Sequence, residues 1–566
     1  MSADLIVGAA EAEAVLTAPG ARFETATAVV DGRTVRVWKN APADLRAVLA
    51  QSLTFGDRDF LVYEETRLTY DEHYAQVARL AHLLRTRFGV EKGDRVAIAM
   101  RNYPEWSVAF FAAAAIGAIV VPLNAWWTGA ELAYGLNDSG AVLLIADSER
   151  AARLVPAREG LDLRAVLVAR GLADGALSLD DELATVPEQS ALPAVDLEPD
   201  DPATIFYTSG TTGFPKGAFG SHRNICNNVL SVGFAPARVL VRRGEALPDP
   251  ETVPQRAILL SVPMFHVTGC HSVLVAGAFG GAKVVLMHRW DPEDALRLIA
   301  AEQVNVFGGV PSMAWQVLES PAFSKYDTSS LEGVSYGGAP AAPELVETIG
   351  AAVPVAEPGN GWGMTETSSV ATHIVGAEYR AKPQSVGRPV AVCDVKTVDD
   401  DGQNAPAGQL GELMIAGPNV VKGYWNKPEA TAAAFVGGWV RTGDIGWIDE
   451  EGFVHVVDRA KDMIIRAGEN IYCVEVENVL FEHDAVIDAA IIGLADRILG
   501  EEVGAVVQVK PGETLTAAAL IEYAAARLAA FKVPIAVEIR SEPLPRNANG
   551  KILKDLLREQ FQRTEP

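Results

Sequence analysis

From about residue 70 to 300, stretches with apolar residues at helical spacing alternate with short runs of β-forming residues. Asp71 to Thr86 carries the helical pattern, and Arg95-Val96-Ala97-Ile98-Ala99-Met100 reads as a buried strand. Val142 to Ala146 and Ala165 to Val168 repeat the strand pattern. Such alternation predicts an α/β architecture with largely parallel sheets. Between about 385 and 458 the character changes to strands and tight turns. Asp399-Asp400-Asp401-Gly402 and Asp449-Glu450-Glu451-Gly452 sit where hairpin turns belong, which predicts a small barrel or an antiparallel sheet. After Asp458-Arg459-Ala460-Lys461-Asp462 the α/β alternation resumes. Glu475 to Glu482 reads as a helix, Val486 to Gly493 as a strand and Thr516 to Leu528 as a second helix. That is enough chain for a separate small domain.

A chain of 566 residues exceeds what one hydrophobic core serves, so at least two domains are expected. The 48 basic and 73 acidic side chains leave a net charge of −25, which repels nucleic acid and anionic membranes over long range. An anionic substrate must therefore be held by local devices: a few placed cations, backbone amides or a metal ion. Cys226, Cys270, Cys393 and Cys473 show no metal-ligand spacing, which argues against a zinc site or disulfide framework and fits a reducing cytoplasm. No Lys or Arg precedes Arg22, so no basic signal-peptide region is expected. The apolar run Trp106 to Leu123 follows Asn102, a cap, and Pro104, a first-turn proline. It reads as a buried helix feeding a strand, not a membrane span. The Pro- and charge-rich stretch Arg242 to Gln255 reads as an exposed insertion.

The strongest local signal is Tyr207-Thr208-Ser209-Gly210-Thr211-Thr212-Gly213-Phe214-Pro215-Lys216-Gly217, which follows the strand-like Ala203 to Phe206. Its glycines let backbone amides turn toward one point, and its hydroxyls and Lys216 add donors, as a triphosphate requires. It is not a Walker A loop: Pro215 stands at the second glycine and Gly217 replaces the magnesium-binding hydroxyl.

This segment resembles the phosphate loop of the AMP-forming acyl-CoA synthetase superfamily, which includes beetle luciferases and nonribosomal peptide adenylation domains. Further segments resemble that superfamily's motifs in order. They are Gly361-Trp362-Gly363-Met364-Thr365-Glu366, Arg441-Thr442-Gly443-Asp444, the hinge Asp458 to Asp462, and Pro545-Arg546-Asn547-Ala548-Asn549-Gly550-Lys551. The resemblance covers the chain from about residue 45 onward. It implies a large N-terminal domain of α/β sheets plus a small β-barrel (1–458) and a small mobile C-terminal α+β domain (459–566). It also implies ATP, Mg²⁺ and CoA as the cofactors of acid activation through an acyl-adenylate, with a small-molecule carboxylic acid as substrate and a homodimer as an open assembly.

The roles carried over are specific. Thr208, Ser209, Gly210, Thr211, Thr212, Gly213 and Lys216 cradle phosphate, and Gly338, Ala339 and Pro340 let the nucleotide approach the backbone. Gly361, Trp362, Gly363, Met364 and Thr365 border it, with Trp362 offering a flat face to adenine. Glu366 ligates Mg²⁺, a hard cation suited to one carboxylate plus phosphate oxygens. Asp444 accepts from the ribose hydroxyls and Arg459 donates nearby. Lys551 stabilises the charge that develops during adenylation; Thr208, Glu366 and His266 complete the catalytic set. Rotation about Lys461 exchanges Lys551 for the segment holding Gly468, which lines the CoA tunnel.

His266, Phe265, Gly308, Gly309, Val310, Tyr336 and Gly337 form the expected acyl pocket, whose small residues leave room for a bulky or elongated apolar acid. Fatty, branched, aryl-alkyl and steroid side-chain acids stay open, as do non-CoA acceptors: an amine, a carrier protein or oxygen. The chain departs from the usual fatty-acyl pattern at Trp362 (commonly Tyr), Cys473 (often Pro) and Ala467 (commonly Gly). Gly333-Val334-Ser335-Tyr336-Gly337 also matches the G-x-S-x-G of serine hydrolases, but Gly337-Gly338-Ala339-Pro340 stands where that motif needs a helix.

Overall fold

The computed structural model describes residues 5–208, 214–249, 252–339, 341–399, 401–467, 469–510, 512–547 and 550–561. Two mixed sheets dominate the large N-terminal part. In the first, the strands Pro202–Tyr207, Ile119–Pro122, Arg95–Ala99, Leu143–Asp147, Ala165–Ala169 and Leu177–Ser178 run parallel in that order. Gly217–Ser221 closes one edge antiparallel to Pro202–Tyr207. The second sheet has nine strands. Its parallel centre runs Glu357–Met364, Gly333–Gly337, Val306–Gly309, Ala257–Leu260, Lys283–Leu286 and Asp59–Tyr63.

The apolar run behaves as expected: Pro104–Ala115 is a helix with every residue but Glu105 buried, and Ile119–Pro122 follows as a central strand. Its N-cap, however, is Tyr103 and not Asn102. The Asn102 amide instead joins two strand-end loops, donating to the Val262 carbonyl at 3.0 Å and accepting from Met264 N–H at 2.9 Å. No helix among the described residues is long and apolar enough to cross a membrane.

The long helix His222–Arg242 starts on a Ser221/Asn224 capping box directly after the strand Gly217–Ser221 and lies between the two sheets' strands. Pro236 within it removes an N–H, so the Val232 carbonyl loses its helical donor; the imidazole of His373 takes that place. Two residues on, Arg238 is wholly buried and pairs with the equally buried Glu378 at 2.8 Å, while Arg242 reaches the same carboxylate at 2.6 Å. Burial pushes the Glu378 carboxyl up, but the two arginines outweigh it and the net shift is down.

The third sheet, expected as a small barrel or an antiparallel sheet, is antiparallel. Asp394–Val398, Gly411–Ala416 and Trp439–Ile448 pair in order. The ten-residue Trp439–Ile448 is long enough to carry Phe435–Val436 on one stretch and Val454–Arg459 on another, so the described strands do not close. Both predicted turns are present, with Gly402 and Gly452 at positive φ.

Beyond Arg459, the strands Val486–Asp496, Gly500–Val509 and Ala536–Arg540 form a small sheet with its own apolar core and the helices Cys473–Phe481 and Ala517–Ala525. The Thr516 hydroxyl caps the second helix, which stops three residues short of the expected Leu528.

Breaking one partner of a buried ion pair strands the other charge, at a cost of about 3–5 kcal/mol. Glu378→Ala is therefore expected to lower the unfolding free energy from urea denaturation by that much. Removing the exposed Arg297–Asp294 pair should cost under about 1 kcal/mol.

Candidate active site

Strand ends and the loops after them converge on one cavity of about 2280 Å³. Thr208, Lys216, Gly338, Gly361 to Glu366, Arg459 and Lys551 line it together with His266, Gly308, Gly309, Val310, Tyr336 and Gly337. The predicted nucleotide and acyl residues thus share one space. Residues 209–213, Pro340 and Gly468 lie outside the described residues. Ala339, Phe265, Asp444 and Lys461 are not in the lining. Phe265 is buried behind His266, its ring 4.6 Å from the imidazole, so it supports the wall without facing the acid.

The phosphate loop closes on itself where Thr208 N–H donates to the Lys216 carbonyl at 2.9 Å. Its outgoing arm is pinned by Phe214, which stacks on Tyr134 at 4.6 Å, and by the Tyr134 hydroxyl donating to the Pro215 carbonyl. The strand Glu357–Met364 presents glycines because its neighbours leave no room. A Cβ on Gly363 would lie 1.6 Å from the Ser369 carbonyl oxygen, and one on Gly337 would lie 2.5 Å from that of Gly361.

Glu366 is buried, and its Oε1 accepts from the Tyr424 hydroxyl at 2.7 Å. Lys216 Nζ lies 5.1 Å over the same phenol ring. Tyr424 therefore joins the phosphate lysine to the acidic residue, a role that sequence reading missed because a lone tyrosine in a loop carries no pattern. Trp362 does more than offer a face: its indole N–H donates to Asp444 Oδ2 at 2.9 Å, while Arg459 Nε holds Oδ1 at 2.7 Å. Asp444 is thus fixed from two sides just behind the lining, with lone pairs left for further donors.

Lys551 follows a turn in which Asn547 N–H donates to the Lys551 carbonyl and Gly550 N–H to that of Asn547, both at 2.9 Å. Gly550 has φ +74°, and a Cβ there would meet Val310 at 2.7 Å, so the turn presses directly on the acyl pocket. Burial lowers the Lys551 pKa to about 8; Arg459 and Lys461 also lower it, and Asp444 and Glu366 oppose them. On the other side, burial and then Lys551 lower the His266 pKa to about 3, so this imidazole is neutral. His266 Nε2 is buried without a partner among the described residues. The ammonium is therefore within electrostatic reach of the nucleotide-side carboxylates and of an unsatisfied imidazole. A π-helix, Thr268–Val275, follows His266 and lines the cavity with Thr268, Ser272 and Val273.

Ser335 sits in the middle of a straight parallel strand, not on a strand-to-helix elbow, which removes the hydrolase reading. The stretch after Arg242 is largely exposed, as expected, and its Leu247, Pro248, Val253, Pro254 and Gln255 also border the cavity. Ala467 has φ +52°, the left-handed region that explains why glycine is common there.

The AMP-binding enzyme family matches residues 49–425, and its C-terminal domain family matches 475–551. A feruloyl-CoA synthase of an Amycolatopsis species is 37% identical over 499 residues, covering 88% of this chain and 94% of the relative. The long-chain-fatty-acid–CoA ligase FadD13 of Mycobacterium tuberculosis is 36% identical over 502 residues, covering 89% and 95%. The solved o-succinylbenzoate CoA synthetase of Bacillus subtilis, in complex with its acyl-adenylate intermediate, aligns with a TM-score of 0.76 at 30% identity over 92% of this chain and 99% of that one. The chain belongs to the AMP-binding enzyme family, within the adenylate-forming superfamily of acyl-CoA synthetases.

Proposed function

We propose that the chain is an ATP-dependent acid–CoA ligase in which an apolar carboxylic acid attacks the α-phosphate of ATP in this cavity. One observation carries the reading: Lys551 lines the same cavity as Glu366, Trp362 and Arg459 of the nucleotide side and His266 of the acid side. An acid oxygen forms a bond to the α-phosphorus as the bond to the pyrophosphate oxygen breaks. Three anionic groups meet at that point, and a fixed ammonium in a dry site stabilises them strongly. Neutral His266, through Nε2, orients the acid carboxylate. Asp444, held by Trp362 and Arg459, takes the ribose hydroxyls.

Glu366 would hold Mg²⁺. Its Oε1 is committed to Tyr424, and a single further carboxylate oxygen suits a cation that keeps waters and phosphate oxygens as its other ligands. When bound, the ion screens the phosphate charge and orients the leaving pyrophosphate.

Lys551 lines the cavity, which supports reading this arrangement as the one for adenylation. For the second step, the domain from about residue 459 turns about Lys461, Lys551 leaves, and the Gly468 segment lines the path of CoA. The CoA sulfur then bonds to the acyl carbon as AMP departs and the thiol proton is lost.

Lys551→Ala should cut acid-dependent pyrophosphate–ATP exchange by about 10²–10³-fold, the scale of losing one placed charge-stabilising group. Thioester formation from supplied acyl-adenylate should be unchanged, and an equal fall in both half-reactions would refute the two-state hinge. The pH dependence has a definite sign. The reactive form is the ammonium, so kcat/KM for exchange should decline as pH rises through about 8, well below the ordinary lysine range. An arginine at 551 should abolish that limb. Trp362→Phe keeps an aromatic face but deletes the hydrogen bond to Asp444. The KM for ATP should rise about tenfold or more, as for a lost charge-assisted bond, with the KM for the acid unmoved.

A further inference from the structure

The family match begins at residue 49, yet the chain ahead of it is fastened along the long helix His222–Arg242. Ile6 and Val7 N–H donate to the Arg242 carbonyl at 2.8 and 3.0 Å. Glu13 pairs with Arg238 at 3.3 Å and with Arg388 at 3.0 Å. The Trp38 backbone N–H donates to Asn227 and its indole N–H to Ser231, at 3.1 and 3.0 Å. Between these ties Phe23 is clamped edge-on against Trp38 and Phe234, with ring centroids 5.7 and 5.4 Å away.

Phe23 is also part of the cavity wall, next to Gly233 and Pro236 of the helix. A Cβ built on Gly233 finds nothing nearer than the Phe23 ring edge at 3.8 Å, so the helix leaves a gap there and the ring bounds it. Elsewhere the wall mixes the strand residues Gly308, Gly333 and Ser335 with larger apolar side chains, among them Leu230, Leu240 and Phe279. Phe23 is the large rigid side chain that the N-terminal segment contributes.

We propose that Phe23, facing Gly233, is a specificity-determining residue: it is the back stop for the apolar body of an extended carboxylic acid whose carboxylate is held at Lys551 and His266. The inference rests on the ligase reading above. The few polar groups at one end fix the acid's orientation, so its tail must run away from them along the apolar wall. Each methylene lodged there is worth about 0.8 kcal/mol, or about fourfold in affinity. That gain ends where the tail meets Phe23.

The test uses straight-chain acids from hexanoate to stearate with the full chain, read twice: binding by calorimetry, and kcat/KM from CoA-dependent AMP release. In the wild type both should improve by about fourfold per methylene and then level off. Gly233→Leu, which replaces a poor helix former by a good one and narrows the gap, should move the plateau to shorter acids. It should weaken stearate at least about tenfold, the worth of two lost methylenes, and leave hexanoate unchanged. Phe23→Ala should move the plateau to longer acids. An identical length profile in the wild type and in folded Gly233→Leu would overturn the assignment. Wild-type binding with a plateau but no AMP release with any acid would sink the ligase reading and leave the wall intact. Normal turnover with unmoved profiles would sink the wall alone.

Discussion

The burial of one ammonium organises this molecule. Lys551 belongs to the small C-terminal unit, yet it sits in a cavity walled by the large one. Its charge is coupled to those of Arg459, Asp444, Glu366 and Lys461 and is felt by His266. A lysine so placed loses hydration and finds only partial compensation, which is why its pKa falls. The triphosphate and the acid would supply the missing anions, so the site is electrostatically incomplete until both substrates arrive. The net charge of −25 makes this local reversal of sign necessary, because nothing in the overall field attracts an anion.

Backbone proximity supplies the geometry that this charge needs. The Gly361–Glu366 segment can pass close to its neighbours only because Gly363 and Gly337 lack side chains, and the lysine turn can press on Val310 only because Gly550 does. The polar residues then lock each other. Tyr424 connects Glu366 to Lys216, and Trp362 with Arg459 clamps Asp444. Each clamp spans elements far apart in the chain, so the site's rigidity is a property of the packed sheets and not of any one motif.

That distribution decides what could be read beforehand. The alternation of helix and strand, the phosphate loop, Glu366, Asp444 and Lys551 are legible because each is a local run with a period or a fixed order. Tyr424 and Phe23 carry no such signal: their meaning arises from contacts with Glu366 and with Gly233, 58 and 210 positions away. Asn102 shows the opposite error. Its type and position beside Pro104 satisfy the local rule for a cap, but two loop groups at Val262 and Met264 compete for its amide and win. The open third sheet is similar, since strands and turns were visible but closure depends on edge pairing, which is non-local.

The departure at Cys473 acquires a physical meaning at the hinge. Asp458, on the last strand of the large part, accepts from Cys473 N–H, the first residue of the helix Cys473–Phe481 beyond the hinge. A proline there has no N–H to give. Burial raises the Asp458 pKa to about 6, with Lys554 opposing it, so the carboxylate is held ionised near neutrality largely by what the small unit brings to it. Lys554 itself is paired with Glu477 at 2.7 Å within that unit. The proposed turn about Lys461 would carry Cys473 and Lys554 away from Asp458 together, leaving a carboxylate that needs water or a proton. On the proposed two-state account this bond would favour the arrangement with Lys551 in the cleft, through a backbone group that only a residue other than proline can offer.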